Sequence, residues 1–114
     1  MTDEIYKNSA KQFYSKLRAS WERALEEVGL SNTVMRHRDY INATELSKIS
    51  VLEQSDCKIW KDNFSKCCDF VEAHDAARGR NITLPEPNIL LLDTAVLKAW
   101  VETVKAKQKS LIQT

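Results

Sequence analysis

Apolar side chains recur along the first quarter of the chain at alternating steps of three and four. Tyr6, Ala10, Phe13, Leu17, Trp21, Ala24 and Val28 fall on one stripe, which is the spacing that lines one face of an α-helix. The stripe predicts a long helix from about Asp3 to Val28. Thr2 or Asp3 would cap its start, and Asp3 and Glu4 suit the positive end of its dipole. Gly29 stands where a C-terminal glycine cap is expected.

Two further long helices follow from the same reasoning. Trp60, Phe64, Cys67, Val71 and His74 repeat at four and three, predicting a helix from Ser55 or Asp56 to Ala77 or Arg78 that stops at Gly79. Arg80 to Pro87 reads as a loop whose course is fixed by Pro85 and Pro87. Pro87 also suits the first turn of a last helix, where its missing N–H costs nothing. That helix should reach about Gln108, with Leu92, Val96, Trp100 and Val104 as its spine and Leu90, Leu97 and Val101 widening the stripe. Lys105, Lys107 and Lys109 complement its negative end.

The stretch from Leu30 to Val51 carries a weaker pattern. Ser31 or Asn32 could cap a short helix through Arg38, or the segment could be an irregular connector. Asn42 followed by Glu45 reads as a capping box opening a short helix to about Ile49. Three long amphipathic helices and one or two short ones make an all-α fold, a small helical bundle forming a single domain over residues 1–114. The three tryptophans, one on each long helix, should meet near one core, each burying about 200 Å².

Composition narrows the function classes. The formal net charge is +1, without the basic excess that usually accompanies DNA-backbone binding. Two glycines and no Gly-x-x-x-x-Gly-Lys-Ser/Thr or Gly-x-Gly-x-x-Gly run leave no phosphate-cradling loop. There is no Gly-x-Ser-x-Gly elbow and no His-Glu-x-x-His pair. The longest apolar run, Ile89 to Leu92, is far below the roughly 18 residues that span a bilayer. Three cysteines, an odd number, and an acidic start without an apolar leader predict reduced thiols in a cytoplasmic protein.

Several residues invite chemistry. Cys57, Cys67, Cys68, His37 and His74 contain no two separated ligand pairs of the kind zinc requires, so no metal and no cofactor are expected. Cys67 reads as a core residue. His74, Asp75 and Arg78 could form a polar catalytic site near Arg80 and Asn81, against the plainer reading of a packed, hydrogen-bonded histidine. HEPN-class ribonucleases place a histidine downstream of an arginine, and here His74 precedes Arg78, so that motif is not met. Arg36, His37 and Arg38 form the one compact basic cluster, a weak nucleic-acid or acidic-partner site, though Asp39 follows at once. On the first helix Arg18 can pair with Glu22 and Arg23 with Glu27.

The run from Tyr14 to Val28, with Leu17-Arg18, Trp21-Glu22-Arg23 and Glu26-Glu27 at its heart, resembles a segment of large bacterial AAA/ABC-type ATPases with coiled-coil insertions. Many of these are linked to phage defence. Cys67 and Phe70, His74-Asp75 and Ala77, Asn81, Pro85-Glu86-Pro87, and Leu97 with Trp100-Val101 continue the resemblance to Lys107. The nucleotide motifs of the ATPase core are missing, and Arg36 to Tyr40 departs from the family pattern. The chain therefore resembles the C-terminal helical module alone, and ATP hydrolysis does not carry over. The resemblance implies a non-enzymatic interaction module that docks on an ATPase or effector, or self-associates. Arg18, Glu22 and Arg23 would carry the docking surface, with His74, Asp75 and Arg78 second. An RNase-like effector and a nucleic-acid-binding protein are the alternatives, and no membrane association is expected.

Overall fold

The first predicted stripe is a helix in the computed structural model, which describes residues 3–72 and 85–112. Helix α1 spans Asp3–Ala24, followed by a π-helical turn Leu25–Gly29, a 3₁₀ segment Ala43–Val51, helix α2 Gln54–Glu72 and helix α3 Pro87–Ile112. Every regular element among the described residues is helical, so the all-α expectation holds. The predicted end of α2 at Ala77 or Arg78, its stop at Gly79, and Arg80 with Asn81 lie outside the described residues.

The buried face of α1 is Ala10, Tyr14, Leu17, Trp21 and Ala24. Tyr14 thus takes the central place that the stripe assigned to Phe13, which is only partly buried. Its hydroxyl explains why a tyrosine can be fully enclosed. It donates to the Asp93 carboxylate at 2.7 Å, and Lys66 donates to the other oxygen of Asp93 at 2.7 Å. Burial and then the hydrogen bond to Asp93 hold the Tyr14 phenol protonated far above its ordinary range. A buried carboxylate is tolerated only with such partners.

Trp21 is wholly enclosed and meets the edge of Trp100 at a ring-centroid distance of 5.8 Å. Trp60 donates its indole N–H to the Trp21 carbonyl at 2.9 Å and stacks on Phe64. The three tryptophans therefore converge as expected. Trp100 in turn donates to the Asp56 carbonyl at 2.9 Å, fixing the start of α2 against α3. Truncating a side chain as enclosed as Trp21 typically costs about 3–5 kcal/mol.

The end of α1 differs from its prediction. Leu30 donates its N–H to the Leu25 carbonyl at 2.7 Å, a five-residue step that widens the last turn. Gly29 is the last residue of this turn, and the left-handed residues are Ser31 and Asn32 instead. Glycine at position 29 permits a close approach: a Cβ there would lie 3.2 Å from Cη2 of Trp100 and 3.3 Å from Cδ1 of Leu25, so those side chains would have to shift.

On α3, Pro87 does open the helix, but the spine shifts. Asp93, Trp100, Val104 and Gln108 are buried, whereas Leu92 and Val96 are exposed. Steps of four accumulate a rotation of about 40° each at 100° per residue. Three such steps from Val104 leave Leu92 well off the buried face, while Asp93 lies close to it.

The first turn of α2 is held by a reciprocal set of contacts. The Glu53 N–H donates to the Asp56 carboxylate at 3.0 Å, the half of a capping box in which the third residue reaches back. Lys107 from α3 donates to the same carboxylate at 2.7 Å and to Glu53 at 2.8 Å. Burial alone would raise the Asp56 carboxyl, but the Lys107 hydrogen bond, the Glu53 N–H and the Lys107 charge together hold it below its ordinary 3.8.

Three substitutions probe these contacts. Tyr14→Phe should lower the free energy of denaturant unfolding by about 1.5–3 kcal/mol, the usual worth of a hydrogen bond to a charged group, and Asp93→Ala should cost more because Tyr14 loses its acceptor inside the core. A folded-state value for Asp56 below its unfolded one means that its stabilisation is complete above about pH 4 and lost as pH falls through the folded value. Lys107→Met should therefore flatten the acid limb of the stability–pH curve.

Candidate interaction surface

Between the π turn and the 3₁₀ segment the chain has no apolar period and makes a compact loop. Ser31 and Asn32 take left-handed backbone at φ 49° and 61°, each costing about 1–2 kcal/mol outside glycine. Local bonds offset that cost. Asn32 donates its N–H to the Glu26 carbonyl at 2.8 Å and Thr33 to the Leu30 carbonyl at 2.9 Å. Gln108 reaches from α3 to the Val28 carbonyl at 2.7 Å. The base of the loop closes where the Asn42 N–H meets the Thr33 carbonyl at 2.8 Å, the arrangement of an Ω-loop. Asn42 then caps the 3₁₀ segment through the Thr44 N–H. Its own N–H is already used by Thr33, and Glu45 pairs with Lys48, so only half of the predicted capping box forms. Of the two readings for residues 30–42, the irregular connector is the one adopted.

Arg36 pins this loop to α1. Its Nη1 donates to Glu22 at 2.6 Å, and its Nε donates to Glu26. Glu22 therefore pairs with Arg36 and not with Arg18, whereas the predicted Arg23–Glu27 pair forms at 3.6 Å. Two of the predicted site residues, Glu22 of the docking face and Arg36 of the basic cluster, are thus brought together as partners of each other. Arg23 remains exposed on the same helix and Arg18 is partly buried. His37 is exposed. Arg38 donates to the Asn32 carbonyl at 2.8 Å and lies over the Tyr40 ring. The second predicted cluster, His74, Asp75 and Arg78, lies outside the described residues.

Beside the Arg36 bracket, the loop and the 3₁₀ segment turn apolar groups outward. Tyr40 is 62% and Ile41 69% exposed, and Val34 and Leu46 are also exposed. These residues carry no periodic signal, and the only sign of them in the sequence is a Tyr-Ile pair beside a basic run. Electrostatically the patch is close to balanced, since Arg36 sits between two carboxylates and Asp39 flanks Arg38. Phosphate binding draws on uncompensated cations, which this patch lacks at Arg36.

The buried cluster around Cys67 has a different character. Burial first, then the Asp93 charge, push the Cys67 thiol up to about 12, which leaves it protonated and unreactive at neutral pH. Tyr14, Asp93 and Lys66 satisfy one another beside it. Among the described residues no group of three or more histidine, cysteine or acidic side chains could hold a metal ion, and no helix is long and apolar enough to cross a membrane. No protein-family model matches the chain, and no curated protein or solved structure is detectably similar to it.

Arg36→Gln should loosen the loop without unfolding the bundle. Exposed ion pairs contribute about 0–1 kcal/mol, so global stability should fall by no more than that. Hydrogen exchange at the Asn42 amide, which closes the loop, should meanwhile accelerate relative to amides in the middle of α1.

Proposed function

We propose that the chain is a non-enzymatic helical interaction module whose partner protein is gripped by the loop from Thr33 to Asn42 and the adjoining turn of α1. The observation that carries this reading is the combination of a loop closed at its base and pinned by Arg36 with Tyr40 and Ile41 turned outward. A loop already held in shape loses little conformational freedom on binding. Tyrosine and arginine are also the side chains that most often dominate interface energetics. Of the α1 residues Arg18, Glu22 and Arg23, Glu22 meets the loop through Arg36, and this contact supports reading the docking face and the loop as one surface. The family resemblance of the α1 run points to an ATPase or effector of a bacterial phage-defence system as the partner, in a cytoplasmic setting.

A photoreactive amino acid placed at Tyr40 should crosslink a defined protein in cells of the source organism, and the crosslinked band can be identified by mass spectrometry. Tyr40→Ala combined with Ile41→Ser should reduce binding of that purified protein by at least about tenfold, the loss of roughly 1.4 kcal/mol or more, with the circular dichroism of the bundle unchanged. Binding unaffected by the double substitution would refute the assignment. Tight RNA or DNA binding that weakens steeply with salt and is lost in Arg38→Gln would favour the nucleic-acid reading instead, and RNA cleavage lost in His74→Ala would favour the effector reading.

A further inference from the structure

Helix α3 has a second face that the described residues leave exposed. Its buried side is centred on Asp93, Trp100, Val104 and Gln108. On the opposite side Leu91 is 74% and Leu92 57% exposed, and Ala95, Ala99, Thr103 and Ala106 are exposed beyond them. At 1.5 Å per residue the strip from Leu92 to Ala106 is about 21 Å long, with large apolar groups at one end and small ones through the middle and far end. A strip with its bulk at one end is filled by a complement with its bulk at the other. The same helix turned end for end supplies that complement.

The charges beside the strip have the same symmetry. Lys98 and Glu102 are both exposed and one turn apart, and neither forms an ion pair within the described residues. In an antiparallel pair of α3 helices with Ala99 facing its own copy, Leu92 of each chain lies over Ala106 of the other. Lys98 of each then lies beside Glu102 of the other, so a single two-fold axis pairs all four charges. A self-complementary surface of this kind is what a closed two-fold contact requires, and alanine at its centre lets the helix backbones approach.

We propose that the outer face of α3 binds a second copy of this chain, giving an antiparallel two-fold dimer through Leu92, Ala99 and Ala106 with reciprocal Lys98–Glu102 pairs. The contact is one helix wide, which places it among small, weak interfaces, formed at high protein concentration. It lies on a different element from the loop surface and does not depend on it.

Sedimentation equilibrium on the full chain and its variants tests this. The wild type should show a concentration-dependent rise toward twice the monomer mass. Leu92→Lys should weaken association by about tenfold or more. Lys98→Glu alone and Glu102→Lys alone should each weaken it, because each sets like charges against each other across the axis. The two single variants mixed together should associate again, as should the chain carrying both changes. Circular dichroism on each variant confirms an intact bundle. A wild type that stays monomeric at hundreds of micromolar overturns the proposal. A dimer indifferent to Leu92→Lys and to both charge reversals overturns it equally, because association then uses another face.

Discussion

The contact between Trp21 and Trp100 is the joint on which the bundle is assembled. Trp21 brings the last turn of α1, Trp100 the middle of α3, and Trp60 ties α2 to the Trp21 carbonyl. Because Trp100 also donates to the Asp56 carbonyl, its ring cannot move without disturbing the start of α2. The π turn and Gly29 belong to the same constraint. The chain leaves α1 through the π turn, passing close to the Trp100 ring, where a Cβ on residue 29 would be tightly crowded.

Polar groups then set the register that the apolar core alone would leave adjustable. Asp93 is held by Tyr14 and Lys66 at one end of α3. Toward the other end, Lys107 clasps the first turn of α2 and Gln108 the carbonyl of Val28. Each of these contacts would leave a buried group without its partner if a helix slid by one turn, which costs more than the contact itself contributes. The loop that follows α1 inherits this order. Its left-handed residues are set between the Gln108 contact and the Arg36 bracket, and Tyr40 and Ile41 stand exposed beside the Asn42–Thr33 bond that closes it.

The long helices were legible because three-and-four spacing survives in α1 and α2. The spine of α3 was not, because steps of four drift around the helix and led to Leu92 and Val96. The pattern Asp93, Leu97, Trp100, Val104 has the right period, but it begins with a carboxylate, and a buried carboxylate is recognised only once Tyr14 and Lys66 are seen beside it. Tyr14 fits the three-and-four spacing as well as Phe13 does, four after Ala10 and three before Leu17, so periodicity alone does not choose between them. The Arg36 bracket joins residues ten and fourteen positions apart through a loop without periodicity, so local i,i+4 logic assigned Glu22 to Arg18. The exposure of Tyr40 and Ile41 is visible only after the loop's contacts are known, since exposure depends on what the rest of the loop has already buried.

The Trp21–Trp100 joint, extended through Asp56, should make the three helices one cooperative unit. Native-state hydrogen exchange tests it most directly, by comparing the Cys57 amide in the first turn of α2 with the amides of Trp21 and Trp100. If the joint governs the fold, all three exchange only through global unfolding, with opening free energies agreeing within about 1 kcal/mol. An α2 first turn that opens several kcal/mol more easily than Trp21 and Trp100 would contradict the account.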